Sequence, residues 1–389
     1  GDANVSPLAV YRRAAKADSV QQRRPNVVLI MMESMSAKFM KHFGQSETLT
    51  PFLDSLYTRS ISFRNFYSAG IHTNHGLYAT LYSFPAMMKR NLMKGSVIPR
   101  YSGLPTVLKE NGYYNLFFMT HEGQYDNMNA FFRTNGYDEV FSQEDYPADK
   151  VVNSFGVQDD FLYDYAIPVL NQRAATGQPF FATLLSISNH PPYVIPPFFH
   201  PKTSEPEMQI VEYADWALRQ FFEEARKQPW FDNTIFVLEG DHGKLVGDAE
   251  CELPESYNHI PLMIYSNRIQ PEEKTAFGGQ VDIQPTILGL LNIDYLQNNF
   301  GVDLLKEERP CMFYTADNMV VGRNDTLLYL YNYETQQELT YDIGNGKLNA
   351  VPMDDSFLPL KEYSFSMLQS AEFLVKHGKT LNSIPFTQQ

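Results

Sequence analysis

Thr73 stands between two histidines in the run Gly70-Ile71-His72-Thr73-Asn74-His75-Gly76, where a polar loop gives way to the helix-like segment Leu77 to Phe84. A helix start presents unpaired backbone N–H groups and the positive end of a dipole, so an anion is stabilised there. A hydroxyl at that point can attack a phosphoryl or sulfuryl centre once its proton is removed. A threonine ahead of a helix can equally serve as an N-cap. The two readings can hold together, and the nucleophilic one needs other chemistry-bearing residues to arrive at the same place.

Such residues recur at the ends of apolar runs. Asn26 to Met32 is near-continuous and β-branched, the pattern of a strand buried on both faces, and it ends in Glu33-Ser34. Tyr114 to Met119 leads into Thr120-His121, Pro179 to Leu185 into Ser188-Asn189-His190-Pro191, and Thr234 to Leu238 into Glu239-Gly240-Asp241-His242-Gly243. His259 lies just ahead of a further strand, Ile260 to Tyr265, and so reaches in from a loop folded back over the sheet edge. Ile61 to Tyr67 alternates like another strand. Helical segments fall between the strands: Thr50 to Leu56, Leu104 to Glu110, Asp159 to Leu170, Glu212 to Lys227 and Asp282 to Leu291. Alternating strands and helices predict an α/β fold with a doubly wound, mainly parallel sheet, whose ligands bind beyond the carboxyl ends of the strands. Each residue has a plainer reading as well. Glu33 can be a first-turn acid of a helix over Met35 to Phe43, Asp241 can close a turn, and His190 can simply end a strand. Their coincidence at one end of one sheet favours chemistry.

A threonine hydroxyl is a poor nucleophile at neutral pH, and a divalent cation that stabilises its alkoxide removes the difficulty. Glu33, Asp241 and His242, with the Thr73 oxygen completing the shell, form an oxygen-rich set with one nitrogen, suited to a single Mn²⁺, Mg²⁺ or Zn²⁺ ion. The remaining histidines, His190 with His121, His75 or His259, can bind oxygens of a transferred group or protonate a leaving alkoxide.

From about Arg309 the texture changes to short strands around turns such as Gly344-Asn345-Gly346, followed by a helix over Leu360 to Lys376. The expected organisation is a lead-in over residues 1–25, a catalytic α/β domain over 26–305, and a C-terminal subdomain of antiparallel sheet plus helix over 306–389. This last part carries few reactive clusters, so it is expected to shape a cleft wall. The 389 residues carry a formal net charge of −14, which excludes a nucleic-acid partner that would need a basic face. Cys251 and Cys311 form no disulfide framework; they can pair or stay free. No run approaches the roughly 20 apolar residues of a membrane span. The chain begins at Gly1 without a methionine, which suits a trimmed fragment of a longer protein.

Met31-Met32-Glu33-Ser34, Thr73 before its helix, Ser188-Asn189-His190-Pro191, Gly240-Asp241-His242-Gly243 and Asp282-Ile283-Gln284-Pro285-Thr286 come in an order that resembles the lipoteichoic acid synthase branch of the alkaline phosphatase/sulfatase superfamily. The resemblance runs from residue 26 to about 305. It implies one divalent metal, manganese first, held by Glu33, Thr73, Asp241 and His242, and a covalent intermediate on Thr73. Phosphoglycerol would pass from a phospholipid donor to an envelope glycan or polyol, with His190 on the phosphate. It further implies an extracytoplasmic, membrane-associated domain, periplasmic or on the outer face of the cytoplasmic membrane, whose transmembrane anchor precedes the present chain. Where the Gram-positive synthases place a Trp and an Arg around the head group, this chain reads Tyr125-Asp126-Asn127-Met128-Asn129, which makes Asp126 and Asn127 candidate substrate contacts. That substitution leaves phosphoethanolamine as an alternative head group. Hydrolysis at the same site is a further alternative, as a phosphodiesterase or phosphatase. Sulfate-ester cleavage is disfavoured because Thr73 replaces the family's modified Cys or Ser. A non-catalytic binding module is the remaining one.

Overall fold

The computed structural model describes residues 10–12 and 24–382. Most of the lead-in expected over residues 1–25 therefore lies outside the described residues; Val10–Arg12 pairs antiparallel with Tyr295–Gln297.

An eight-stranded sheet forms the centre, in the order Glu272–Lys274, Ile61–Phe63, Leu262–Tyr265, Thr234–Gly240, Asn26–Met32, Phe180–Leu185, Tyr114–Phe118, Glu139–Phe141. Leu262–Tyr265 runs antiparallel to both of its neighbours, and the other pairings are parallel. The sheet is thus mainly parallel, with one reversed strand. Because side chains alternate across a strand, Val27, Leu29 and Met31 enter one core with Leu77, Leu81 and Ile287, while Val28 and Ile30 enter another with Leu162, Leu218 and Phe222. Fully burying each such aliphatic side chain contributes roughly 1.5–3 kcal/mol. With both faces covered, the middle strands read as unbroken apolar runs.

Leu104–Glu110 forms as expected, and the other expected helices form with shifted ends, as Pro51–Thr58, Asp159–Ala175, Pro206–Ala225 and Ile283–Leu290. The helix considered for Met35 to Phe43 is instead two separate 3₁₀ turns, Ala37–Phe39 and Lys41–Phe43. The polypeptide leaves the Asn26–Met32 strand through Ser34 at φ 52°, and Ser36 Oγ is occupied by the carbonyls of Lys244 and Ser256, so this stretch follows the site rather than a helix axis.

Beyond the central sheet, Met312–Thr315, Met319–Arg323, Leu327–Asn332, Gln337–Gly344 and Lys347–Ala350 form a five-stranded antiparallel sheet, and the helix Leu358–Lys376 packs on it. Close approach is possible because position 322 is Gly: a Cβ there would lie 2.4 Å from Ser364 Oγ. Several links tie this sheet to the centre. Arg309 forks onto the buried Asp282 carboxylate, with Nη2 2.6 Å from Oδ1, and Thr315 N donates to the Ala69 carbonyl at 2.9 Å, just upstream of Thr73. Both cysteines are free. Among the described residues, no helix is long and apolar enough to cross a membrane.

Candidate nucleophile and metal site

Register brings the two acids together. Met32 pairs with Gly240 on the adjacent parallel strand, so Glu33 and Asp241 are the next residues out of the same ladder, and Asp241 N still donates to Met32 O at 3.0 Å. Ser34 N and His242 N both donate to Asp241 Oδ1, at 2.8 and 2.7 Å, which leaves Oδ2 facing the helix that begins at Thr73.

That helix spans Thr73–Tyr82 and starts earlier than the apolar pattern indicates. His72 occupies the cap position without a side-chain cap bond, and Thr73 is the first helical residue. The capping reading of Thr73 is therefore corrected. Its hydroxyl hydrogen-bonds toward the acids instead, at 2.8 Å to Asp241 Oδ2 and 3.1 Å to Glu33 Oε2. The helix sits close to the strand exit because of Gly76, where a Cβ would fall 2.2 Å from the Asp241 carbonyl oxygen. Gln280 ties the two together, donating through Nε2 to Asp241 O and accepting from Ala69 N through Oε1.

His242 completes the cluster. Its Nδ1 lies 2.7 Å from the Gly243 carbonyl, which fixes the N–H on that nitrogen and turns the Nε2 lone pair toward the acids. Nε2 is 3.6 Å from both Glu33 Oε1 and Asp241 Oδ2, and one ligand atom from each of the three residues lies within 4.8 Å of the others. Burial opposes charge on both acids. At Glu33 the His242 hydrogen bond and charge overcome it and hold the carboxyl down at about 2. Asp241, equally buried and beside the Glu33 charge, is pushed well above the usual carboxylate range. Burial also works against charge on His242, but Asp241 and Glu33 together raise it to about 9. The three groups are thus interdependent, each held by burial and by the charge of the other two. Two carboxylates, one oriented imidazole nitrogen and a hydroxyl fit a divalent cation.

The other candidates divide. His121 is buried, its Nδ1 on the Glu122 carbonyl and its ring against Tyr125, and burial lowers its basicity. His190 packs over Phe155 with Nδ1 on Pro191 O, and its loop is held by Asp159, whose Oδ1 accepts from Ile187 N and Ser188 N. His121 and His190 follow the strands Tyr114–Phe118 and Phe180–Leu185, which run parallel to Asn26–Met32, so both leave the sheet at the same end as Glu33. Asp126 pairs with Lys94, and Asn127 donates to Met93 O, so these two hold the 93–94 segment in place. His259 turns to other partners: its Nε2 is 2.7 Å from Arg64 O and its ring stacks on Tyr67. The reversed direction of its strand brings His259 to this end of the sheet, where the Arg64 carbonyl and the aromatic rings claim it. His75 is buried, its Nδ1 unpartnered and packed against Gly70, and burial lowers it to about 4.

Lys244 is the residue that sequence reasoning missed. Its Nζ donates to Asn189 Oδ1 at 2.6 Å and to Tyr193 OH at 2.9 Å, and Asn189 Nδ2 in turn donates to Ser34 O. Burial lowers it to about 8, with the Glu33 charge working the other way. Its only signal in the sequence is its place two residues after His242.

A model of the Sulfatase family matches residues 25–293. Lipoteichoic acid synthase 2 of Bacillus subtilis is 24% identical over 315 residues, 73% of this chain and 47% of that protein. Phosphoglycerol transferase I of Xanthomonas campestris is 25% identical over 322 residues, 78% of this chain and 46% of that protein. The chain spans about half the length of these curated relatives. Among solved structures, a protein in the alkaline phosphatase superfamily from Vibrio parahaemolyticus superposes with a TM-score of 0.84 at 28% identity, covering 97% of this chain and 92% of that one.

Proposed function

We propose, from the premise that this chain belongs to the sulfatase family as a lipoteichoic-acid-synthase-like member of the alkaline phosphatase superfamily, that it transfers a phospholipid head group through Thr73 to a glycan or polyol hydroxyl. Phosphoglycerol is the head group this reading favours, because the relatives include a phosphoglycerol transferase. The observation that carries the reading is the Thr73 hydroxyl, at the first residue of a helix and hydrogen-bonded to two buried carboxylates.

In the first step Thr73 Oγ attacks the donor phosphorus, the bond from phosphorus to the lipid oxygen breaks, and that oxygen takes up a proton. The Thr73 proton departs in the direction already marked by Asp241 Oδ2, 2.8 Å away. In the second step an acceptor hydroxyl attacks the phosphorus and loses its proton, and the Thr73 oxygen leaves and regains one. Backbone N–H groups of the first turn face the phosphoryl oxygens, as helix starts do with anions. His190 and His121, at neighbouring strand exits, hold those oxygens and protonate the leaving oxygen. Lys244 positions the Ser34–Asn189 side of the site and adds positive charge beside the transferred group. Glu33, Asp241 and His242, with the Thr73 oxygen, would hold one divalent cation, manganese first, which when bound lowers the cost of negative charge on the attacking oxygen and on the phosphoryl group. The site works outside the cytoplasm at a membrane surface, where such a donor is found.

The test is incubation with phosphatidylglycerol and Mn²⁺ followed by peptide mass spectrometry. A glycerophosphoryl increment on Thr73 is expected. Donor turnover that survives intact in Thr73→Ala, with no increment on the wild-type residue, overturns the proposal.

A further inference from the structure

A cavity of about 720 Å³ opens between the segment that follows the Thr73 helix and the C-terminal sheet and helix, and its lining includes none of Glu33, Asp241 or His242. His72, beside Thr73, fastens it to the site: its Nε2 lies 2.6 Å from Oδ1 of Asp317, which lines the cavity. Thr315 Oγ1 bonds the carbonyls of Ala69 and Ala86 at 3.3 and 3.4 Å, so the C-terminal sheet also holds the stretch that leads into residues 87–90 of the lining. The wall is therefore tied to the loop and first turn that carry Thr73.

We propose that this cavity is the acceptor subsite and that it takes a neutral glycan or polyol; the inference rests on the head-group-transfer reading above. The lining suits that chemistry. Tyr333, 40% exposed, and Phe365 line it as an edge-to-face pair with centroids 6.3 Å apart, together with Leu368 and Met88. Aromatic and aliphatic walls match the C–H sides of a sugar ring, while Asp317, Asn318 and Gln369 supply acceptors and donors for its hydroxyls. Charge argues against other occupants. The lining carries Lys89 and Arg90 but also Glu334, Glu372 and Asp317, so a polyanion meets no net positive field, and an acyl chain would strip water from carboxylates without pairing them. A hydroxyl-rich neutral molecule avoids both costs, and a free hydroxyl at its end near His72 would lie on the Thr73 side.

Saturation-transfer NMR on the whole chain, with maltotetraose, cellotetraose and glycerol as separate probes and no lipid donor, tests this. At least one neutral probe is expected to bind, and Tyr333→Ala and Gln369→Ala are each expected to weaken it roughly tenfold. Thermal melts of both exposed-site variants confirm that they fold. Absence of binding by all three probes, or binding undiminished in both folded variants, overturns the subsite. Because no donor is present, that result is independent of the phosphate increment on Thr73, whose absence overturns the head-group reading instead.

Discussion

Gly76 lies against the backbone of Asp241 so closely that a Cβ on it would fall 2.2 Å from the Asp241 carbonyl oxygen. One turn earlier on the same helix, Thr73 reaches the Asp241 side chain. The distance between nucleophile and carboxylate is thus set by the lack of a side chain at position 76.

Gly76→Ala is expected to push the helix off the strand exit. Overpacking of this kind costs about 1–3 kcal/mol, so the variant should melt several degrees lower and lose most of its turnover. A crystal structure or metal titration of the variant checks that Thr73 and Asp241 have separated.

Removal of the metal ligands should separate binding from folding. Mn²⁺ at about a hundredfold over its dissociation constant stabilises a single-site protein by roughly 2.7 kcal/mol. Wild type should show the matching rise in melting temperature, which EDTA abolishes. Asp241→Asn and Glu33→Gln should show none, and both should melt normally in EDTA because each replaces a buried charge with an isosteric amide.

Lys244→Met keeps the aliphatic stem and removes the ammonium that Asn189 and Tyr193 hold. Residues that orient a site from outside its ligand shell typically contribute 10- to 100-fold, so kcat/KM for the donor should drop about that much. Mn²⁺ affinity should change little. Calorimetry for the metal and steady-state kinetics for the donor distinguish the two effects.

The loop bearing His190 depends on Asp159, whose buried carboxyl is raised to about 6 even though it accepts two backbone N–H bonds. A carboxyl raised in the folded state contributes stability that is fully present below its unfolded value near 4 and is lost as pH rises through 6. A rise of that size corresponds to roughly 3 kcal/mol. Urea denaturation should therefore show stability falling between about pH 4 and 6, and Asp159→Asn should flatten that fall.

Much of the site was legible because its parts obey local rules. The apolar, β-branched run Asn26–Met32 had to be a central strand, and a carboxylate directly after it had to find a partner. The same holds for Thr234–Gly240 and Asp241. What escaped was whatever depends on direction or on competing partners. The periodicity of Leu262–Tyr265 does not reveal that the strand runs backwards, and nothing near His259 announces that Arg64 O and Tyr67 will claim its ring. The apolar pattern starting at Leu77 hid the first turn of its helix, because the residues from Thr73 to Gly76 serve the site rather than the core.

By itself, then, the order of residues determined the doubly wound sheet, the family, and the candidates Glu33, Thr73, Asp241 and His242, since burial pattern and residue chemistry are properties of short stretches. Only the tertiary structure decided that Thr73 donates to carboxylates 40 and 168 residues away rather than capping its own helix. It alone brought Lys244 to Asn189, and Asp317 from the C-terminal sheet to His72. Hydrogen bonds between distant segments depend on strand register and helix approach, and neither is encoded in any single stretch of the chain.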